Sequence, residues 1–301
     1  MPGTEARLPH SVDVFAPAKI NLTLHVVGQR ADGYHLLDSL VAFATVGDQL
    51  RVQVDNGFSL KMQGSEAATL PEDASNLILQ VADLFDHLPG AAFHLTKDLP
   101  VSSGIGGGSA DAAAAYRALS AVAREADIQI PTPETLLKLG ADVPMCLTSR
   151  AARIGGIGEQ ITPVASLPAL PAVLVNPRRE VATPAVFKAM TTRQNAPMPQ
   201  DLPTFHDTRD LATWLRGQRN DLEPAASQLE PMIDVVKAAI STQPDCLLSR
   251  MSGSGATCFG LFPTLSAAQR AAAAIARHQP EWWVKPTELG SQNKRAQPRL
   301  N

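Results

Sequence analysis

Four glycines occupy the five positions from Gly104 to Gly108, and the chain passes from them directly into Ser109-Ala-Asp-Ala-Ala-Ala-Ala-Tyr-Arg-Ala-Leu119, a run of strong helix formers. Backbone without Cβ atoms can approach a ligand closely, and its freedom at positive φ lets successive N–H groups converge on one concavity. A helix starting there points its unpaired amides and the positive end of its dipole at the same place. The segment therefore specifies a polyanion cradle at a loop-to-helix junction. Such a site needs no cationic field, and none exists: 26 basic residues stand against 29 acidic ones, a net charge of −3. That balance argues against nucleic acid or an anionic membrane as partner. No Gly-Lys-Ser or Gly-Lys-Thr occurs, which excludes a Walker-type loop. In a Gly-x-Gly-x-x-Gly reading the sixth place holds Ser109, and Lys97–Pro100 part the loop from the preceding strand, so an NAD-type dinucleotide fold is disfavoured.

At 301 residues the chain is long enough for two cores at about 150 residues each. Period-two alternation predicts strands over 12–15, 21–27, 35–44, 49–54 and 58–62, most economically as an antiparallel sheet. A helix is expected after Ser75, a strand over 91–96, the alanine-rich helix capped by Ser109 or a neighbour, and a short helix over 133–139 ending on a left-handed Gly140. A strand over 153–161 follows, and Pro163, Pro168 and Pro171 place a domain boundary near residue 162. Beyond it the order is a strand (172–176), helices (184–190, 208–215, 221–240), strands (246–251, 257–262), a helix (266–278) and a strand (282–287), a ferredoxin-like β-α-β-β-α-β order. Residues 191–205 read as an exposed loop and 291–301 as a solvated tail. Apolar runs, of which Ala271–Ala276 is the longest, fall far short of the roughly 20 residues that cross a bilayer. The amino-terminal stretch carries no apolar targeting pattern, so the chain is expected in a cytoplasm as a monomer or homodimer. Cys146, Cys246 and Cys258 read as small buried hydrophobes, without disulfide or zinc spacing.

The string Pro100-x-x-x-Gly-Ile-Gly-Gly-Gly-Ser-Ala110 resembles the phosphate-binding motif of the GHMP superfamily, named for galactokinase, homoserine kinase, mevalonate kinase and phosphomevalonate kinase. Pro17-Ala-Lys-Ile-Asn-Leu22 with Gly28-Gln-Arg-Ala-Asp-Gly-Tyr-His35 is similar to the first motif of its branch that acts on a cytidine diphosphate methylerythritol. Leu139-Gly-Ala-Asp-Val-Pro144 and Met251-Ser-Gly-Ser-Gly-Ala-Thr-Cys258 are two further landmarks. The resemblance implies an α+β, two-domain GHMP kinase fold: an amino-terminal mixed sheet with helices over 1–162, binding ATP and carrying catalysis, and a ferredoxin-like plait over 163–301, binding substrate. It implies ATP-dependent phosphorylation of the 2-hydroxyl of 4-diphosphocytidyl-2-C-methyl-D-erythritol in the non-mevalonate isoprenoid route.

The resemblance also implies roles. Asp142 matches the catalytic base and Lys19 the catalytic lysine; together they would receive the acceptor's proton and hold the developing alkoxide. ATP contacts fall on Pro100, Gly104, Ile105, Gly106, Gly107, Gly108, Ser109, Ala110 and Asp111, with Asn76 as a looser match for an adenine contact. Acceptor contacts fall on Asn21, Tyr34, His35, Pro184, Phe187, Gly253 and Gly255, the aromatic rings stacking on cytosine. Magnesium is implied by the triphosphate, with Ser109 as one donor and the other ligands open. A homoserine- or mevalonate-type kinase, a nucleotide-responsive binding protein and an NAD enzyme are the competing readings; Tyr34-His35, the presence of both Lys19 and Asp142, and Ser109 weigh against them in turn.

Overall fold

The computed structural model describes residues 11–68, 70–165 and 167–301. The ten amino-terminal residues that contribute to the cytoplasmic expectation lie outside them. Strand β1 (Val12–Asn21) is followed by β2 (His25–Gln29) and by β3 (His35–Val54). The two strands expected over 35–54 are thus one, and β1 runs on past Phe15 to Asn21. Gly47 makes this continuity possible, because a Cβ there would sit 2.2 Å from the Ala16 carbonyl oxygen. Antiparallel pairing of β1 with β3 therefore survives across Gly47, with its register shifting between Pro17 and Lys19.

Next come β4 (Gly57–Gln63), α1 (Leu77–Ala82) and β5 (Gly90–Thr96). β5 lies antiparallel to β3 but parallel to β4, which corrects the wholly antiparallel expectation. Helix α2 (Gly107–Glu125) is buried continuously from Ala110 to Ala123. Its alanines supply more than helix propensity: a helix covered on every side must be small on every side, and here β1 and β3 cover one flank while α1 and α3 (Val143–Thr148) cover another. A 3₁₀ turn over Pro133–Lys138 precedes α3, and Gly140 stays outside the left-handed region expected of it. The strand expected over 153–161 is a hairpin, β6 (Ala152–Gly156) and β7 (Gln160–Pro163), turned at Gly156 and Gly158 with φ of 65° and 122°.

The second half runs β8 (Leu170–Asn176), α4 (Thr183–Ala189), α5 (Thr208–Arg216), α6 (Glu223–Leu229), α7 (Met232–Ser241), β9 (Leu248–Met251), β10 (Cys258–Leu261), α8 (Leu265–His278), β11 (Trp283–Gly290) and β12 (Arg299–Leu300). The helix expected over 221–240 is broken at Glu230–Pro231, where proline opens a new helix. The strand order β11-β8-β10-β9, antiparallel throughout, is the ferredoxin-like arrangement. β11 also pairs with β3 through Leu289↔Ala44 and Gly290↔Phe43, so one sheet runs across both halves. One apolar cluster lies under α1 and α2, a second under α6–α8, and a third, including Ile20, Leu174 and Trp283, is shared by the halves.

Two surface expectations are corrected. Residues 291–301, though mostly exposed, are docked and not free: β12 pairs with β1, Arg295 sits 4.6 Å over the Phe15 ring, and the Gln292 N–H donates to the Ser149 carbonyl at 2.8 Å. Residues 191–205 lack regular structure but are only partly exposed, since Met198 and Phe205 are buried and the Met198 N–H donates to Asp38 at 2.8 Å.

Candidate active site

Gly106, not Ser109, caps α2, in the left-handed conformation (φ 66°, ψ 26°), and the first helical bond runs from the Ala110 N–H to the Gly106 carbonyl at 2.8 Å. The amides of Gly107, Gly108 and Ser109 precede that bond and are free to bind an anion. Ile105 and Ala110 are buried beneath the loop; the Ile105 carbonyl accepts the Lys19 N–H at 2.9 Å, joining the loop to β1. Gly104 and Gly253 interlock main chain against main chain. A Cβ on Gly104 would meet the Ser252 carbonyl oxygen at 2.5 Å, and one on Gly253 would meet the Gly104 carbonyl oxygen at the same distance.

Gly104, Gly106–Ser109 and Gly253 line a cleft of about 1170 Å³, larger than the pocket of an ordinary small ligand. On its wall Lys19 Nζ pairs with Asp142 Oδ2 at 2.8 Å. The lysine is buried, while 37% of the Asp142 side chain remains exposed to the cleft. Asp142 precedes α3 but makes no side-chain cap bond to it, so its carboxylate pairs with Lys19 through Oδ2 and otherwise faces the open cleft. Lys19 Nζ also donates to Asn21 Oδ1 at 2.9 Å, Asn21 Nδ2 donates to Ser39 Oγ at 2.8 Å, and the Asn21 N–H donates to Ser252 Oγ at 3.1 Å. Asn21 thereby holds the lysine while also lining the cleft, where the acceptor contact is expected of it. Gly106 faces the pair closely: a Cβ there would lie 3.3 Å from Lys19 Cε and 3.8 Å from Asp142 Oδ2.

Buried Arg117 of α2 connects the same elements. Its guanidinium donates to the Cys146 and Leu147 carbonyls of α3 at 2.9 and 3.2 Å and to the Phe15 carbonyl of β1 at 3.1 Å. Of the cysteines, Cys146 and Cys258 are buried and Cys246 is half-buried.

Sequence reasoning missed a buried triad beside the loop. Lys97 Nζ bonds Asp48 at 2.5 Å and Asp111 at 2.8 Å, and Asp48 Oδ1 also accepts the Asp98 and Leu99 N–H groups at 2.7 and 2.9 Å. Asp111, assigned to ATP above, is thus engaged with Lys97, leaving Oδ1 buried without a hydrogen-bond partner. Burial, and then the neighbouring Asp111 charge, push the Asp48 carboxyl up to about 7. The folded state then binds a proton that the unfolded chain releases near the ordinary 3.8, so this group's stabilisation fades as pH climbs between those values. The expected result is a urea midpoint that declines from pH 5 to pH 8, with a shallower decline in Asp48→Asn; equal slopes in the two proteins refute the assignment.

At the other end of the cleft the His35 and Phe187 rings stack 4.5 Å apart at 22°. His35 Nε2 is buried without a partner, and burial, then the Arg193 charge, lower the imidazole's pKa. Tyr34 stands 59% exposed at the rim, after the Asp32-Gly33 turn in which Gly33 takes φ 91°. Thr183, Pro184 and Gly253 line the cleft, whereas Gly255 packs against Met251 and Ile233. Thr183 Oγ1 lies 2.7 Å from Ser254 Oγ, another pair the sequence did not reveal. Pro100 and Asn76 line the nucleotide end. The Asn76 amide is occupied within the chain, its Oδ1 accepting the Ile78 N–H at 3.0 Å to cap α1 and its Nδ2 donating to the Pro71 carbonyl at 2.9 Å.

Among the described residues no group of three His, Cys, Asp or Glu side chains forms a metal centre. The oxygen donors of Ser109 and Asp142 suit a hard cation that arrives with phosphate oxygens and water.

The family model for the GHMP kinases N terminal domain matches residues 76–157, and that for the GHMP kinases C terminal matches 201–281. The 4-diphosphocytidyl-2-C-methyl-D-erythritol kinase of Roseobacter denitrificans is 60% identical over 98% of this chain and 99% of its own. That of Dinoroseobacter shibae is 54% identical over 96% and 99%. A solved 4-(cytidine 5'-diphospho)-2C-methyl-D-erythritol kinase superposes with a TM-score of 0.75 at 33% identity, covering 92% of this chain and 99% of that one. A homoserine kinase from Cytophaga hutchinsonii, at 20% identity and a TM-score of 0.64, shares the fold.

Proposed function

Because the chain belongs to the 4-diphosphocytidyl-2-C-methyl-D-erythritol kinases, we propose that it phosphorylates the 2-hydroxyl of that acceptor with ATP, dividing the work among its own residues as follows. The observation that carries the reading is the Lys19–Asp142 pair at 2.8 Å, in one cleft with both the free amides of α2 and the His35–Phe187 stack.

The amides of Gly107, Gly108 and Ser109 hold the triphosphate. Ser109 and Asp142 oxygens would hold a magnesium ion that comes with the nucleotide, and bound there it would neutralise phosphate charge. Asp142 takes the acceptor hydroxyl's proton as its oxygen attacks the terminal phosphorus, and Lys19 stabilises the oxygen while negative charge develops there. His35 and Phe187, stacked on each other, receive cytosine against the outer face of their pair. Tyr34 covers the rim and Pro184 supports Phe187. Residues 1–162 supply the nucleotide site and the catalytic pair, and 163–301 close the acceptor side.

Purified protein with Mg-ATP should convert 4-diphosphocytidyl-2-C-methyl-D-erythritol to its 2-phosphate, monitored by phosphorus NMR. Phosphorylation of homoserine or mevalonate with none of the cytidyl compound rejects the reading. Phe187→Ala should raise the acceptor KM by roughly 5- to 150-fold, the worth of one base stack at about 1–3 kcal/mol, and leave the ATP KM unchanged. An unchanged acceptor KM removes Phe187 from the cytosine site.

A further inference from the structure

The acceptor carries a diphosphate between its cytidine and its reacting alcohol. If cytosine lies at His35 and Phe187 and the alcohol at Asp142, those phosphates must cross the stretch of cleft between them. Lys19 offers them little, since its ammonium is buried and already bonded to Asp142 and Asn21. The amides at the start of α2 are claimed by the other nucleotide. Thr183 and Ser254 provide hydroxyls but no charge.

Two cations line the acceptor end, Lys188 in the last turn of α4 and Arg193 just beyond that helix. Arg193 is exposed, and among the described residues no carboxylate lies within ion-pair distance of its guanidinium. Other exposed arginines, Arg150 and Arg277 among them, are also unpaired, but they do not line the cleft. Arg193 is nevertheless close enough to His35 for its charge to act on the imidazole. The segment that bears it is fastened on the far side: the Asn195 N–H donates to the Val26 carbonyl at 3.1 Å, and the Met198 N–H donates to Asp38 at 2.8 Å. Tethering limits the entropy lost when an arginine from an irregular segment engages a ligand.

We propose that Arg193 is a specificity-determining residue that binds the diphosphate of the cytidyl acceptor. The planar guanidinium suits two phosphate oxygens at once, and its position beside the cytosine stack lets it distinguish a nucleoside diphosphate from a bare nucleoside. The assignment rests on the function proposed above and adds to it a residue to which neither the motifs nor the geometry of the catalytic pair leads.

The test compares the affinities of the full chain for cytidine and cytidine 5′-diphosphate, with the ATP site saturated by a non-hydrolysable ATP analogue. Arg193→Met should leave cytidine binding unchanged and reduce the diphosphate's advantage over cytidine by about tenfold or more, the scale of a charge-assisted pair. In turnover the acceptor KM should rise by a similar factor with the ATP KM unchanged and kcat within about twofold. Arg193→Lys, which keeps the charge and loses the fork, should retain part of the advantage. An advantage for the diphosphate equal in wild type and Arg193→Met overturns the proposal. A wild-type protein that fails to phosphorylate the cytidyl alcohol overturns the proposed function instead, and the two failures are read from separate measurements.

Discussion

Asp142→Asn is expected to lower kcat by roughly two to four orders of magnitude, the usual contribution of a positioned base, with little change in affinity for an ATP analogue. The substitution is nearly isosteric, and the amide oxygen still accepts from Lys19 Nζ, which now lies 2.8 Å from Oδ2. What is lost is a site for the proton. Because the pair is partly open to the cleft, the carboxylate can meet both its lysine and an incoming hydroxyl without rearrangement of α3. Steady-state kinetics with the cytidyl acceptor, alongside analogue binding, checks both halves of the expectation; turnover equal to wild type removes Asp142 from proton transfer.

Gly104→Ala produces the second large effect, on stability and nucleotide affinity together. At φ 74° an L residue costs about 1–2 kcal/mol before any contact is counted. The added methyl would then meet the Ser252 oxygen at 2.5 Å and the Gly255 oxygen at 2.8 Å, both of them main chain that cannot swing aside. Either the glycine loop or the Ser252–Gly255 turn must shift, which disturbs the anchor of Asn21 through Ser252 and the placement of the α2 amides. A melting temperature lowered by several degrees and a weakened analogue affinity are expected. Gly33→Ala is the control: it shares a positive φ of 91° but has nothing within 4 Å of the new Cβ, so it loses only the backbone contribution and leaves nucleotide affinity intact. Equal losses in the two variants contradict the interlock.

The elements that position this site were legible to different degrees, for identifiable reasons. The glycine loop, the alanine-rich helix and the ferredoxin-like order could be read because each is written in local composition or period. The fusion of two expected strands into β3 could not, since it depends on Gly47 meeting Ala16 of another strand. The helix broken at Pro231 was visible as a proline and was overridden by the apolar periodicity on either side. Docking of residues 291–301 depends on Arg295 finding Phe15 and on the β12–β1 pairing, partners nearly the whole chain away. Within the site, Lys19, Asp142 and the loop came from linear motifs. Lys97, Asp48 and Asp111 lie in three separate segments without a shared motif, and only the fold brings their charges together. Asn76 and Asn21 add roles the sequence does not mark: both line the cleft, and their amides also bond to the chain itself, capping α1 and holding Lys19.

The sheet that crosses from β3 to β11 joins the half bearing the glycine loop and His35 to the half bearing Phe187 by main-chain pairing, reinforced where Thr45 and Thr287 hydroxyls lie 2.9 Å apart. A single synthetic molecule bearing a cytosine-like ring on one arm and an adenosine polyphosphate on the other would find its two seats at a preset spacing. Once one arm is bound, a linker of matching span makes capture of the second an intramolecular event. The gain in residence would then be governed by linker length, and not by new contacts.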